Sequence, residues 1–274
     1  MMGRSAVGNT LSPVDMAVAE SLDTPIPRKA VRLVHLLAWC VHLYTALGLV
    51  VAAAIAVLLV RGGGVAFRWS FLLMVVATLI DATDGTLARK VGVKKVLPNF
   101  DGRKLDDITD FLTYTFLPLL LIWRAEVLPS GTEGWLLLPL LASAYGFCQV
   151  DAKTDDGFFL GFPSLWNVVA LYLYVLYLPG WLSLGIVIVL GLMTFVPSLY
   201  LYPSQPGSLS RLSNILGAVW TLLLLAIFWR LPIDHAPRAD DPSWGLGLIS
   251  LFYPAFYMIT SWSITLRRWC GGTP

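Results

Sequence analysis

Four aspartates occur in two pairs at helical spacing, in or next to apolar runs of the chain. Asp81 and Asp84 are three residues apart at the end of an apolar run, and Asp106 and Asp110 are four apart. With 3.6 residues in each helical turn, each pair shares one helix face. An ionised carboxylate inside a membrane helix costs about 2.5–3.5 kcal/mol, so these acids indicate a bound cation or a polar cavity. A single such aspartate could instead bond to a neighbouring helix.

If the two helices bring both pairs together, up to four carboxylates meet at one depth. Such a cluster stays ionised only when cations neutralise it. Oxygen-only ligation suits Mg²⁺ or Mn²⁺, and two ions about 4 Å apart are a common clamp for phosphoryl displacement. The spacing therefore predicts a site for such ions. Gly85 and Ala88 lie on the same stripe as the first pair, where they leave room for a bulky ligand or another helix.

The composition of the 274-residue chain is typical of a membrane protein. The chain is 57% hydrophobic and 13% charged, with a mean hydropathy of +0.73, whereas soluble domains are about 45–50% apolar and about 25% charged. These values exclude a soluble enzyme, a disordered chain and a nucleic-acid binder with a basic patch. The net charge of +2 does not indicate a polyanionic partner, and the three cysteines show neither disulfide nor metal-binding spacing.

Eight apolar runs predict an all-α integral membrane protein of about eight transmembrane helices. Because lipid offers the backbone no hydrogen-bond partners, every run is expected to be helical. The runs are Leu37–Val60, Trp69–Ala88, Asp106–Trp123, Gly134–Val150, Pro163–Leu178, Trp181–Tyr202, Leu212–Trp229 and Trp244–Ile264.

The distribution of Lys and Arg predicts that the N-terminus and the C-terminus are both cytoplasmic, because most cations then lie on that side. Residues 1–26 are polar and are expected to form a flexible cytoplasmic tail, followed by a single membrane domain over residues 27–274. At the start of this domain, Pro27–Leu37 mixes cations with apolar residues. This mixture predicts a short interfacial helix before the first span.

Eight residues within thirty positions form the pattern D-x-x-D-G-x-x-A-R, followed after twelve residues by G-x-x-x-D-x-x-x-D. They are Asp81, Asp84, Gly85, Ala88, Arg89, Gly102, Asp106 and Asp110. The pattern resembles the signature of the CDP-alcohol phosphatidyltransferase family, membrane enzymes that move a phosphatidyl group from CDP-diacylglycerol to an alcohol. The spacer is longer than is usual in that family. This length, and the first-span segment A-W-C-V-H-L-Y-T-A-L-G, look like the bacterial phosphatidylcholine synthase branch.

The resemblance implies a catalytic membrane domain that transfers phosphatidyl from CDP-diacylglycerol to choline and releases CMP. It implies a homodimer in the bacterial cytoplasmic (inner) membrane, surrounded by membrane lipid, with the active site facing the cytosol. The four aspartates would hold two Mg²⁺ or Mn²⁺ ions, and Asp110 would also take the proton of the acceptor hydroxyl. The CDP moiety would lie against Asp84, Gly85, Ala88, Arg89, Gly102 and Thr45.

Choline is a quaternary cation, which suits aromatic faces and a carboxylate. The candidates for its site are Tyr114, Tyr145, Asp151 and Trp166. Tyr114 is favoured because it lies one turn beyond Asp110 on nearly the same face, although each aromatic could instead pack against lipid. His42, three residues before Thr45, could contact the nucleotide or bond to a neighbouring helix.

Two other functions fit parts of the pattern. The same chemistry could use another acceptor, such as serine, inositol phosphate or glycerol phosphate. A phosphorylated acceptor would need a dedicated cationic pocket near Asp110, whereas the aromatic and acidic candidates favour a cation. A cation transporter or channel would also explain intramembrane acids. It would not explain the spacing of Gly85, Ala88, Arg89 and Gly102.

Overall fold

The computed structural model describes residues 28–150, 152, 154, 157–201 and 208–271, with the backbone alone at 28–31 and 208–210. The predicted tail and Asp151 lie outside these residues. The helices are α1 (Arg28–Arg61), α2 (Gly64–Val91), α3 (Val93–Val96), α4 (Gly102–Asp110), α5 (Leu117–Arg124), α6 (Leu137–Cys148), α7 (Trp166–Val175), α8 (Gly180–Met193), α9 (Ser208–Arg230), α10 (Pro242–Ser250) and α11 (Phe252–Trp269). A π-helical segment spans Phe111–Phe116, a 3₁₀ turn spans Glu133–Leu136, and two strands are β1 (Phe158–Leu160) and β2 (Leu199–Leu201).

Four helical stretches in the described part of the chain are long and apolar enough to cross a membrane. They are Arg32–Arg61, Gly64–Val91, Arg211–Arg230 and Pro242–Trp269. The other predicted runs overlap shorter helices, among which α7 has 10 residues and α8 has 14. The protein is therefore a mainly helical integral membrane protein, with long outer helices and several short helices between them.

The expected separate interfacial helix is wrong, because α1 runs without a break from Arg28 through the first span. The helix has 34 residues, which corresponds to about 50 Å at 1.5 Å per residue. Its first twenty residues contain neither Gly nor Pro, so nothing interrupts the hydrogen-bond ladder between the cationic start and the apolar span. The two predicted elements therefore form one helix.

One continuous helical run from Gly102 to Arg124 carries the second aspartate pair. The Asp101 carboxylate caps it by accepting hydrogen bonds from the backbone N–H groups of Arg103 and Lys104 at 3.2 and 3.3 Å. Immediately after Asp110, the run changes from α-helix to π-helix and returns to α-helix at Leu117. A π-turn contains an extra residue, so it rotates the side chains that follow it, and such segments are frequent at functional sites.

The short helix α7 forms the centre of the hydrophobic core. Seven of its residues are buried, including all those from Ala170 to Val175. It packs against α5, the π-helical segment, α2 and α10. A helix buried on most sides needs no polar face, which explains why its sequence contains no charged residue.

The expectation that every apolar run is helical is wrong in the run Trp181–Tyr202. The helix α8 ends at Met193, and β2 pairs antiparallel with β1, Tyr200 lying opposite Phe159. Pro197 lacks a backbone N–H and disfavours helix at the residue before it. Similarly, Pro163 precedes α7, which begins only at Trp166.

Side chains of α11 complete the hydrogen bonding of β2 on the edge away from β1. The backbone N–H of Leu199 donates to the Thr265 hydroxyl at 2.8 Å, and that of Leu201 donates to the Ser261 hydroxyl at 3.2 Å. The Tyr257 hydroxyl donates to the carbonyl of Leu201 at 3.1 Å. These hydroxyls replace the missing neighbouring strand, so an extended segment is tolerated within an apolar interior.

Candidate metal centre

Three of the four predicted aspartates come together where the second half of α2 meets α4. Asp81, Asp84 and Asp106 each offer a carboxylate oxygen, and these atoms all lie within 4.8 Å of one another. Asp84 is buried, with 6% of its surface exposed, while Asp81 and Asp106 are half-buried. The helical spacing of the first pair, and the packing of both α2 and α4 against α1, therefore produce one carboxylate cluster.

Hydroxyl groups from two other segments orient the α2 aspartates. The Thr45 hydroxyl on α1 donates to Asp84 Oδ2 at 2.7 Å, and both side chains are buried. The Tyr114 hydroxyl, in the π-helical segment, donates to Asp81 Oδ2 at 2.8 Å. Each of these two carboxylates thus has one oxygen held by a neutral hydroxyl donor on another element, which fixes the direction of the group.

The donor set of this cluster fits a hard divalent cation. All three ligand groups are carboxylates, and opposite oxygens around an octahedral Mg²⁺ lie about 4 Å apart. Neighbouring oxygens lie only about 3 Å apart at the same Mg–O distance, so three oxygens within 4.8 Å of one another must move closer together to bind one ion. Three carboxylates in one partly buried site also repel each other unless a cation lies between them.

Asp110 is placed differently from the other three aspartates. Among the residues that the structure describes, the cluster of close carboxylate oxygens does not include it. It lies one turn beyond Asp106, is half-buried, and is the last residue of α4 before the π-helical segment. Asp110 therefore borders the cluster without being one of its three close carboxylates.

The other signature residues lie around this cluster, each in a distinct environment. Arg89 is exposed and donates to the Thr86 hydroxyl at 3.1 Å, with its guanidinium near Gly85. Ala88 is half-buried and packs against a small apolar cluster formed by Ala38, Val41 and Val93. The small size of Ala88 is thus used, at least in part, for packing between helices.

Gly102 allows a close approach of α1 to the start of α4. A Cβ atom at this position would lie 2.6 Å from Cε1 of His42, so a larger residue would displace the imidazole. His42 is 6% exposed, its ring lies 4.3 Å from that of Phe100, and its Nε2 has no hydrogen-bond partner. Phe100 is not among the site residues predicted from the sequence. The one sequence signal for it is its position two residues before Gly102 of the signature.

The described choline candidates differ in their surroundings. Tyr114 donates to Asp81, whereas Tyr145 is 48% exposed and accepts a hydrogen bond from Gln149 at 2.6 Å. Trp166 is fully buried, and its indole N–H donates to Ser143 at 2.9 Å. Of these three candidates, Tyr114 is thus the one whose hydrogen bond joins it to the aspartate cluster.

Six exposed cations lie within the signature, between its two aspartate pairs. They are Arg89, Lys90, Lys94, Lys95, Arg103 and Lys104. Lys104 lies 3.9 Å from Asp101 in an exposed ion pair. Exposed pairs of this kind contribute little to stability.

Comparison with known proteins identifies the family. No protein-family model matches the chain. The chain is 38% identical over 198 residues to the phosphatidylcholine synthase of Pseudomonas aeruginosa, covering 72% of this chain and 82% of the relative. It is 35% identical over 234 residues to that of Borreliella burgdorferi, covering 85% and 96%, and 41% identical over 161 residues to that of Legionella bozemanae, covering 57% and 74%. Together with the signature, these relatives show that the chain belongs to the bacterial phosphatidylcholine synthase branch of the CDP-alcohol phosphatidyltransferase family.

Proposed function

We propose that the protein is a CDP-diacylglycerol–choline phosphatidyltransferase, which makes phosphatidylcholine and releases CMP. The observation that supports this most is the meeting of Asp81, Asp84 and Asp106, three acids of the family signature, within 4.8 Å. The relatives named phosphatidylcholine synthase cover most of the chain at 35–38% identity. Family membership and the carboxylate cluster thus favour the same chemistry.

The reaction is a displacement at the phosphorus that carries diacylglycerol. The hydroxyl oxygen of choline forms a bond to that phosphorus, the bond to the bridging oxygen breaks, and CMP leaves with the bridging oxygen. The proton of the choline hydroxyl goes to Asp110, which borders the cluster and is half-buried.

Asp81, Asp84 and Asp106 would hold Mg²⁺ or Mn²⁺, with Asp110 as the fourth acid of a two-ion site. Bound there, such ions would neutralise the diphosphate and the charge that develops on CMP. Thr45 keeps Asp84 turned toward this position through its hydrogen bond of 2.7 Å. The CDP moiety would lie against the remaining signature residues, Gly85, Ala88, Arg89 and Gly102.

The acceptor is tested by supplying purified protein with labelled CDP-diacylglycerol and one alcohol at a time. We expect choline to give labelled phosphatidylcholine and equimolar CMP, in a reaction that stops with EDTA and resumes with Mg²⁺ or Mn²⁺. Serine, inositol phosphate and glycerol phosphate serve as matched acceptors in the same assay. A lipid product from one of these alcohols but not from choline would show that choline is not the acceptor. Cation flux without CMP release would show that the protein is a transporter and not a transferase.

We further propose eight membrane crossings, with both termini and the aspartate cluster on the cytoplasmic side of the inner membrane. In this arrangement, residues 27–274 form one catalytic domain after a cytoplasmic tail over residues 1–26, and two copies form a dimer. The positions of Lys and Arg support the orientation, and the dimer rests on family resemblance alone. A reporter fused after residue 274 should be cytoplasmic. Reporters inserted in the 125–132 and 231–241 loops should both be periplasmic. Mass measurement in native nanodiscs should give two copies.

A further inference from the structure

The hydrogen bond between Tyr114 and Asp81 connects the two helices that carry the signature acids. Asp81 lies on α2, whereas Tyr114 lies one turn beyond Asp110 on the continuous run from Gly102 to Arg124. The hydroxyl reaches Asp81 Oδ2 at 2.8 Å. The bond therefore influences both the orientation of one carboxylate and the distance between the helices.

A second hydroxyl has the same relation to the neighbouring aspartate. Thr45, from α1, donates to Asp84 Oδ2 at 2.7 Å within a buried contact. Both acids on α2 thus accept a hydrogen bond from a side chain on another element. Partners of this kind fix the direction of a ligand's free lone pairs before a metal binds, and their loss commonly weakens metal binding by about 10- to 100-fold.

We propose that Tyr114 and Thr45 are positioning residues that act through Asp81 and Asp84 to preorganise the metal site. This inference rests on the proposed function, and it replaces a direct contact of Tyr114 with the ammonium group of choline. The π-helical segment supports it, because the extra residue in its turn sets the direction of the side chains after Asp110. The Tyr114 hydroxyl is then directed at a carboxylate by the backbone itself.

The test is a Mn²⁺ titration of the purified full chain in the absence of both substrates. Electron paramagnetic resonance measures the free Mn²⁺ at each step and so gives the binding affinity. We expect Tyr114→Phe and Thr45→Val each to weaken Mn²⁺ binding by about 10- to 100-fold. At saturating Mn²⁺, Tyr114→Phe should leave the KM for choline unchanged. Thermal unfolding in detergent shows whether each variant is folded. Because the two variants lie on different elements, one of them still tests the proposal if the other does not fold.

Tyr44→Phe is the matched control. The Tyr44 hydroxyl also makes a hydrogen bond between α1 and α2, with Thr83 at 2.8 Å, but its partner is not a signature acid. This variant should bind Mn²⁺ like the wild type. Unchanged Mn²⁺ binding in Tyr114→Phe or Thr45→Val, or a raised KM for choline alone in Tyr114→Phe, would overturn the proposal. Because the titration needs no substrate, a wild type that binds Mn²⁺ but makes no phosphatidylcholine would contradict only the proposed function.

Discussion

Replacing Asp84 with asparagine should reduce the rate of phosphatidylcholine formation by more than about a hundredfold. Loss of a residue that only hydrogen-bonds to a metal ligand commonly costs about 10- to 100-fold, and loss of the ligand itself should cost more. Asp84 is the most buried acid of the cluster, and Thr45 holds one of its oxygens. The amide has nearly the same shape but no negative charge, so it cannot neutralise a divalent ion. The measurement is the initial rate with labelled CDP-diacylglycerol, together with the Mn²⁺ titration described above.

Asp107→Asn is the control for this variant. Asp107 is half-buried and follows Asp106 directly, but it stands outside both the signature and the carboxylate cluster. Its variant should keep a rate close to that of the wild type. If Asp84→Asn retained activity at low Mn²⁺ concentration, or if the two variants lost activity equally, the assignment of Asp84 as a metal ligand would be wrong.

Replacing Asp110 with asparagine should lower kcat by about 10²- to 10⁴-fold, the usual contribution of a general base. As the proposed fourth acid of the two-ion site, Asp110 should contribute to Mn²⁺ binding, but the loss should be smaller than in Asp84→Asn because Asp110 lies outside the group of three close carboxylates. An asparagine side chain cannot accept the proton of the acceptor hydroxyl. The measurement is kcat at saturating metal and choline, compared with the Mn²⁺ affinity of the same preparation.

The relation between these two readouts separates two roles for Asp110. A large fall in kcat with nearly intact Mn²⁺ binding would agree with proton transfer. Loss of Mn²⁺ binding as severe as in Asp84→Asn would instead make Asp110 chiefly a metal ligand. A variant with normal kcat would exclude both roles.

The meeting of Asp81, Asp84 and Asp106 follows from spacing that the sequence displays. The periodicity of a helix places residues three or four apart on one face, and a short connection returns the chain to the same membrane depth. The family assignment is confirmed by the relatives as well. The roles of these acids as ligands remain predictions that the Mn²⁺ titration tests.

Other features had no sequence signal of comparable strength. The direction of the Tyr114 side chain depends on the π-helical segment, and no spacing rule predicts where a helix admits an extra residue. The strands β1 and β2 have three residues each, too few for an alternating pattern to be recognised. Their formation depends on hydroxyls from α11, about sixty residues later in the chain.

The hydrogen bonds from α11 to β2 set an order in which these parts of the chain can fold during synthesis. The backbone of β2 bonds to the side chains of Tyr257, Ser261 and Thr265, which the ribosome adds only after α9 and α10. The extended segment β2 is therefore expected to become stable only after α11 has been synthesised and has packed against it. A nascent chain arrested before residue 257 should remain sensitive to proteases around residues 194–201, and this sensitivity should disappear once the chain extends beyond α11.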